Sequence, residues 1–323
     1  NNSKTMTGSQ VGQVAMAQEN QLTSAADRNK VQLINKGTMN LSGANSTAMY
    51  GKFGELTNEN GGTITMGDSS TALYGIGNSL VSNAGTITIG SNSTALYSKE
   101  ATVGTGAPVQ SPVTNSGLIT SAGANAIGII YDGTGTGGSG SDIGVNNTAT
   151  GKIQFTGDKS VGIYAQGSNY IVDNSGEITL GNSASISNPN VGIFTNMTDI
   201  GIANRTGGNI TVGNNAIGTY GYTVLNDGII KAGDGGVGIY SKGDRTDLGS
   251  SSEIIVGNNE AVGVYLEQGG GTVNHDGKMT IGDNSFGFVA IQGANSLQFN
   301  SAATANVNLG SSSEIIVGNN EAV

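Results

Sequence analysis

Several residue types are missing from this 323-residue chain or scarce in it: there is no cysteine, no tryptophan, three prolines and one histidine. The absence of cysteine excludes disulfide bonds, thiol catalysis and zinc sites built on cysteine. His275 has no second histidine or cysteine with which to form a familiar metal cluster, and its turn, Asn274–Gly277, predicts a solvated corner residue. We therefore expect no metal centre, no cofactor and no catalytic triad.

Positive charge and long apolar runs are also scarce. The formal net charge is −10, and the only arginines are Arg28, Arg205 and Arg245. Nucleic acids and anionic membranes require basic clusters, and a membrane helix requires roughly 18 or more consecutive apolar residues. Neither feature is present, and the polar Asn1–Thr7 is no secretory signal. We expect no nucleic-acid partner and no membrane span in this chain. The absence of cysteine together with abundant glycine, serine, threonine and asparagine predicts an extracellular or cell-surface location.

What the chain does contain is glycine, 55 residues of it, and an internal repeat. Each unit opens with a glycine or an Asn-x-Gly turn, continues with an alternating run such as Gly85–Gly90, and closes on a small, an aliphatic and an aromatic residue, as in Gly162–Tyr164. We place the closing aromatic residues at positions 50, 74, 97, 131, 164, 194, 220, 240 and 265. A short unit with variable insertions is typical of a solenoid.

The repeat unit contains strand signals and no helix signal. Alternation with a period of two places the aliphatic side chains of each run on one face. Two or three such strands cannot bury their own faces, so each unit must stack on the next. The sequence predicts an all-β, single-stranded parallel β-helix of about ten to twelve coils, each of roughly 20–25 residues, with loop insertions. The repeated asparagines at one corner are expected to form a hydrogen-bonded ladder, as at Asn35, Asn83, Asn115, Asn174 and Asn226. Whether the tyrosines face the core or the surface stays open.

The domain organisation follows from where the repeat is visible. We expect residues 1–30 to be an N-terminal cap or lead-in, in which Val11–Gln18 forms a short helix or an irregular strand, and residues 31–323 to form one repeat domain. Leu248–Val262 and Leu309–Val323 have the same sequence, which indicates a duplicated block. The second copy stops within a unit, which predicts a domain truncated inside a coil.

Two enlarged units, Ser98–Val113 and Asp132–Val145, interrupt the regular spacing between Tyr97 and Tyr164. Insertions in a solenoid form surface loops, often on the binding face. Recognition is usually carried by loops on a rigid scaffold. Neutral loop growth is the alternative, because long loops add little entropic cost.

If the chain binds a ligand, we expect the contacts at Tyr131, Asp132 and Asp142. Nearby glycines should leave the two carboxylates uncovered, and the Tyr131 ring should offer its face to a sugar or an aliphatic group. A calcium ion held by Asp132, Asp142 and loop carbonyls is an alternative, although neither an EF-hand nor a calcium-binding nonapeptide repeat is present.

The units NAGTITIG (Asn83–Gly90), TGDKSVGIY (Thr156–Tyr164), NSGEITLG (Asn174–Gly181) and GDGGVGIY (Gly233–Tyr240) carry a resemblance to known proteins. Over residues 31–323 the repeat resembles the passenger domains of large fusobacterial type V autotransporter adhesins, the RadD-like group. The resemblance implies a right-handed parallel β-helix exported through a C-terminal β-barrel and anchored in the outer membrane. It also implies coaggregation with other bacteria and attachment to host glycans or receptors, and it assigns no binding residue.

Taken with the absent catalytic clusters, these features predict a surface adhesin fragment without catalysis. We expect a monomeric rod whose partners are glycans or proteins on host or bacterial surfaces. Two alternatives stay open: a spacer without a binding site, and a secreted polysaccharide-degrading enzyme on the same fold. An enzyme would require a groove lined by several convergent acidic and basic side chains.

Overall fold

The computed structural model describes residues 1–20, 31–77, 79–100, 113–133, 142–167, 169–196, 200–267, 271–291 and 305–323. Within these ranges the regular elements are thirty-two β-strands, β1 to β32 in chain order, and there is no helix. No helix that could cross a membrane is therefore found in this part of the chain.

The strands form three stacked faces, and the chain visits the faces in turn as it winds. Face 1 contains β2 (Val14–Glu19), β5 (Thr47–Lys52), β8 (Thr71–Ile76), β11 (Thr94–Lys99), β14 (Ile127–Gly133), β17 (Val161–Gly167), β20 (Val191–Thr195), β27 (Val262–Leu266) and β30 (Phe286–Ala290). Face 2 contains β3 (Gln32–Asn35), β6 (Glu55–Asn58), β9 (Leu80–Asn83), β12 (Val113–Asn115), β15 (Asp142–Asn147), β18 (Tyr170–Asn174), β21 (Ile200–Asn204), β28 (Thr272–His275) and β31 (Asn306–Leu309).

Two long strands run across faces 1 and 2 without a break, β23 (Ile217–Asn226) and β25 (Val237–Leu248). Face 3 contains β1 (Thr5–Gly8), β4 (Thr38–Leu41), β7 (Thr63–Met66), β10 (Thr86–Thr88), β13 (Leu118–Ser121), β16 (Lys152–Phe155), β19 (Glu177–Leu180), β22 (Asn209–Val212), β24 (Ile229–Ala232), β26 (Glu253–Val256), β29 (Lys278–Ile281) and β32 (Glu314–Val317).

The strands of each face pair in parallel and in register with the coils before and after them. Face 3 is a twelve-stranded sheet, so at a spacing of about 4.8 Å the stack is roughly 50 Å long. The predicted parallel β-helix, with its number of coils, is therefore confirmed. The coils stack because a single coil cannot bury its own inner face, as the sequence predicts.

The core is a set of aliphatic columns, one from each face. On face 3 the column consists of Met39, Ile64, Ile87, Ile119, Ile153, Ile178, Ile210, Ile230, Ile254 and Met279, all of them buried. Residues on either side of this column, such as Thr86 and Thr88, point outward because strand side chains alternate. The alternation in the sequence thus predicts correctly which side chains are inside.

A ladder of nine buried asparagines joins the coils where face 2 ends. Its members are Asn2, Asn35, Asn58, Asn83, Asn115, Asn147, Asn174, Asn204 and Asn226. The Nδ2 amide of each donates to Oδ1 of the next over 2.7–2.9 Å. A buried amide must find partners, and stacking provides the same partner in every coil. The predicted ladder is confirmed and is longer than the five residues proposed from the sequence.

The corner between faces 3 and 1 depends on one residue in the left-handed backbone region. Asn45, Asn92 and Asn125 occupy this position with φ between 54° and 55°. Asparagine tolerates that conformation better than most residues with a side chain. The backbone N–H of Asn92 then donates to the backbone carbonyl of Ala124 in the next coil at 2.9 Å. The polar residues before each closing motif are therefore required by the corner.

The N-terminal boundary differs from the expected one. Strand β1 pairs with β4, and β2 pairs with β5, in the same registers as the later coils. The expected start of the repeat at Val31 is therefore too late, because residues 5–19 already form part of a coil. Val14–Glu19 is a strand, so of the two predicted alternatives the strand is the correct one and the short helix is wrong. Residues 21–30 lie outside the described ranges.

Candidate functional site

The closing aromatic residues form an external ladder on face 1. Tyr50, Tyr74 and Tyr97 stack with ring centroids 5.8 and 4.7 Å apart. A second run consists of Tyr164, Phe194, Tyr220, Tyr240 and Tyr265, with centroids 4.6–5.4 Å apart. The rings lie outside the core, which decides the question that the sequence left open. Since each ring covers the face of its neighbour, the regular part of the ladder offers a ligand only ring edges.

The ladder is interrupted at one coil. Ile130 pairs with Tyr97 on one side and with Tyr164 on the other, so an isoleucine occupies the position of a ring. Two coil spacings separate the two tyrosines, which is about 9.6 Å. Among the described residues no ring stacks on the Ile130 side of either tyrosine. We call the space over Ile130 between these two rings the ladder gap.

Asp132 lies at the edge of the ladder gap, two residues after Ile130 and on the same outer side of β14. Its side chain is 7% exposed, and its Oδ2 lies 3.3 Å from Nζ of Lys99, which is 49% exposed. Oδ1 is buried and has no hydrogen-bond partner among the residues that the structure describes. An unpaired buried carboxylate oxygen is costly in a folded protein. It therefore marks a position where a donor is missing.

The electrostatic influence of Asp132 extends to both rings of the gap. Burial, then the neighbouring Tyr74 and the charge of Asp132, raise the pKa of Tyr97 to about 12. Burial and Asp132 also raise the pKa of Tyr164 above its ordinary value. Both phenols are therefore neutral near pH 7. The carboxylate of Asp132 is therefore close enough to both phenol hydroxyl groups to raise their pKa.

Tyr131 is not where the sequence analysis placed it. It pairs with Ser98 and Ala165, one position beyond the ladder residues Tyr97 and Tyr164. Because a shift of one residue moves a strand side chain to the opposite face, its ring points into the core and is 1% exposed. The expectation that Tyr131 offers its ring to a ligand is wrong. The ladder residue of that coil is Ile130.

Inside the corner, Tyr131 belongs to a buried polar cluster. Its hydroxyl donates to Oε1 of Glu100 at 2.8 Å, and the hydroxyl of Tyr170 donates to the same oxygen at 2.5 Å. The two rings meet edge to face at 5.3 Å. Burial, followed by the charge of Glu100, raises the pKa of Tyr131. Glu100 could not be predicted as a member of this cluster, because no local pattern in the sequence shows that it points inward.

The two predicted carboxylates lie on different faces of the coil. Asp142 begins β15 on face 2, pairs with Tyr170, and is partly buried rather than uncovered. Asp132 is buried, so the expectation that glycines leave it uncovered is wrong. The inserted segments 101–112 and 134–141, on which the prediction of a binding loop depends, lie outside the described residues. Whether Asp132 and Asp142 contact a ligand stays a prediction.

The structure gives little support for a metal ion here. In the described ranges no group of three or more histidine, aspartate or glutamate side chains is arranged to hold one. At Asp132 the Lys99 ammonium already supplies positive charge. Calcium would have to displace this ammonium, and the loop carbonyls that would complete its usual six to eight oxygen ligands lie outside the described residues.

His275 also departs from expectation. It is 1% exposed, so the prediction of a solvated corner residue is wrong. It continues the asparagine column, with Leu248 and Leu309 as its neighbours, and its ring meets Phe288 edge to face at 5.9 Å. Burial lowers the pKa of His275, and the Glu314 carbonyl and Asp276 offset only part of this shift.

Beside His275 lies a shallow depression with a volume of about 380 Å³. Arg245, Asp247 and Asn274 form part of its wall, and Arg245 Nη2 contacts Asp247 Oδ2 at 2.6 Å. The carboxylate is thus already paired. Among the described residues no tyrosine or phenylalanine lines this depression, and the one ring in its wall is the imidazole of His275.

Comparison with known proteins adds no assignment. No protein-family model matches the chain, and neither a curated protein nor a solved structure matches it.

Proposed function

We propose that this chain is a rod-shaped, non-catalytic segment of a bacterial surface adhesin that mediates attachment or coaggregation. Its partners are glycans or proteins on host or bacterial surfaces. It acts outside the cell and is held at the outer membrane by a region of the protein that this chain does not include. The resemblance of the repeat to autotransporter passenger domains supports this location.

The ladder gap is the observation that carries the proposal. Along the rest of the aromatic column the rings cover one another, so the surface repeats and offers little specificity. At Ile130 the repetition stops, and a carboxylate with an unpaired oxygen lies beside two ring faces. A rod with a distinct position on an otherwise regular surface is suited to attachment without chemical turnover.

The test is attachment of cells to the purified chain. The chain is coupled to beads at one engineered cysteine, since the native sequence has none, and bacterial or epithelial cells are counted on the beads. We expect attachment above that of beads carrying an unrelated parallel β-helix. If no more cells attach to the chain than to the control beads, the result would favour the alternative of a spacer without a binding site. Release of sugar fragments from any surface polysaccharide would favour the enzyme.

A further inference from the structure

We propose that the ladder gap is a subsite for one ring of a neutral, hydroxyl-rich sugar. The sugar ring lies between the faces of Tyr97 and Tyr164, over Ile130, and its hydroxyl groups bond to Asp132 and Lys99. This inference rests on the proposed attachment function and adds the chemical class of the ligand.

The width of the gap favours a sugar ring over a flat ring. The two tyrosines are about 9.6 Å apart along the stack. Carbon atoms pack at about 3.5–4.0 Å, so a planar ring between them would fill only about 7–8 Å. A puckered sugar ring carries hydrogens above and below its mean plane and fills the remaining space. Its C–H groups can pack on both ring faces.

Ile130 provides the apolar floor of the subsite. Its side chain is shorter than a tyrosine ring, so it covers only the part of each ring nearest the backbone. It is partly exposed, as are Tyr97 and Tyr164. The outer halves of the two rings can therefore contact a ligand without any movement of the backbone.

The polar groups at the edge of the gap match hydroxyl groups. Oδ1 of Asp132 lacks a donor among the described residues and is buried, so the carboxylate must turn towards the gap to accept from a sugar hydroxyl group, and Lys99 is a half-exposed donor beside it. Because the two charges cancel, the site favours a neutral sugar over an anionic one. Further polar groups lie beyond Tyr164, whose hydroxyl donates to Gln166 Oε1 at 3.1 Å and accepts from Asn196 Nδ2 at 3.2 Å.

The decisive variant is Ile130→Tyr, which closes the gap by completing the ladder. A ring at this position stacks between Tyr97 and Tyr164 as the rings of the other coils do. The variant should keep its melting temperature or raise it, so a loss of binding is not a loss of folding. The matched control is Val289→Tyr, which adds a ring to the same column next to Tyr265, away from the gap.

The probes are the methyl glycosides of glucose, galactose, mannose and N-acetylglucosamine, each examined by saturation-transfer-difference NMR. We expect at least one to bind the native chain and Val289→Tyr with a dissociation constant on the order of 1 mM. Ile130→Tyr should give no signal. Asp132→Asn should weaken binding by about tenfold, because the acceptor loses its charge.

The proposal is overturned if no glycoside binds the native chain, or if Ile130→Tyr binds as well as the native chain does. The bead assay tests the attachment function separately from the sugar subsite. If cells attach equally to the native chain and to Ile130→Tyr, the attachment function stands and the sugar subsite fails. If no cells attach and no glycoside binds, both proposals fail.

Discussion

Nδ2 of Asn204 donates a hydrogen bond of 2.7 Å to Oδ1 of Asn226, and this bond is the last link of the asparagine ladder. The next residue in the column is Leu248, whose side chain can neither donate nor accept. The Asn226 amide bonds instead to the Gly228 carbonyl at 3.1 Å. The chain of side-chain hydrogen bonds along this corner therefore ends at Asn226, and the column continues with Leu248 and His275.

Removal of one ladder residue should destabilise the whole stack. Asn115→Ala leaves the amide of Asn83 without its acceptor and the Oδ1 of Asn147 without its donor. Two unsatisfied buried groups predict a loss of about 2–4 kcal/mol in the free energy of unfolding. Urea denaturation followed by circular dichroism measures it. Thr114→Ala, on the outer side of the same strand, should change stability by less than about 0.5 kcal/mol. Equal effects of the two substitutions would contradict the ladder.

The position of Tyr131 can be tested with a single hydroxyl group. Tyr131→Phe removes one of the two donors to Glu100 and should lower the free energy of unfolding by about 1.5–3 kcal/mol. Tyr74→Phe removes a hydroxyl from the external ladder and should have almost no effect, since its ring stacking is kept. If instead Tyr74→Phe is the more damaging change, Tyr131 is not in the core.

His275 predicts a pH dependence of stability near neutrality. Burial lowers its pKa in the folded chain, so below its unfolded pKa of about 6.5 the unfolded chain binds more protons than the folded one. The stability is complete above that pKa and declines as the pH falls towards the lower folded pKa. Charged groups around the site are Asp276, Asp247 and Arg245, and none of them forms a hydrogen bond with the imidazole.

The measurement is the melting temperature at about pH 7.5 and at about pH 5.5, where few carboxylates have begun to titrate. The native chain should melt at a lower temperature at the lower pH. His275→Leu, which matches its column neighbours Leu248 and Leu309, should lose most of this difference. A difference of the same size in both proteins would show that other groups cause it.

A close approach of coils explains one column of glycines on face 1. A Cβ at Gly162 would lie 2.5 Å from the Gly192 carbonyl oxygen and 2.8 Å from Cγ2 of Ile178. Gly162→Ala should therefore destabilise the chain by about 1–3 kcal/mol. Gly201→Ala is the control, because its Cβ would meet only Cγ1 of Ile171 at 4.0 Å. Thermal unfolding of the two variants should differ accordingly; equal melting temperatures would refute the close approach.

The fold was predictable because its cause is local and repeated. Alternation in runs such as Gly85–Gly90 determines which side chains face inward, and the Asn-x-Gly corners predict the ladder at Asn83 and Asn115. The coil containing Tyr131 is where the same reasoning failed. Two adjacent large side chains, Ile130 and Tyr131, stand at the end of that unit, and the aromatic one was assigned to the ladder because of its residue type. The backbone register decided otherwise.

The sequence by itself determined the class of fold, the stacking of coils and the composition of the core, because each of these follows from side-chain alternation and the need to bury it. Only the tertiary structure decided which functional groups meet. Glu100 and Tyr170 are 70 residues apart and share a hydrogen bond, and Tyr97 and Tyr164 flank one gap although an insertion lies between each of them and Ile130. The physical reason is that a solenoid brings residues together through the register of successive coils. Insertions separate positions along the chain, while the strands of face 1 stay in register across them.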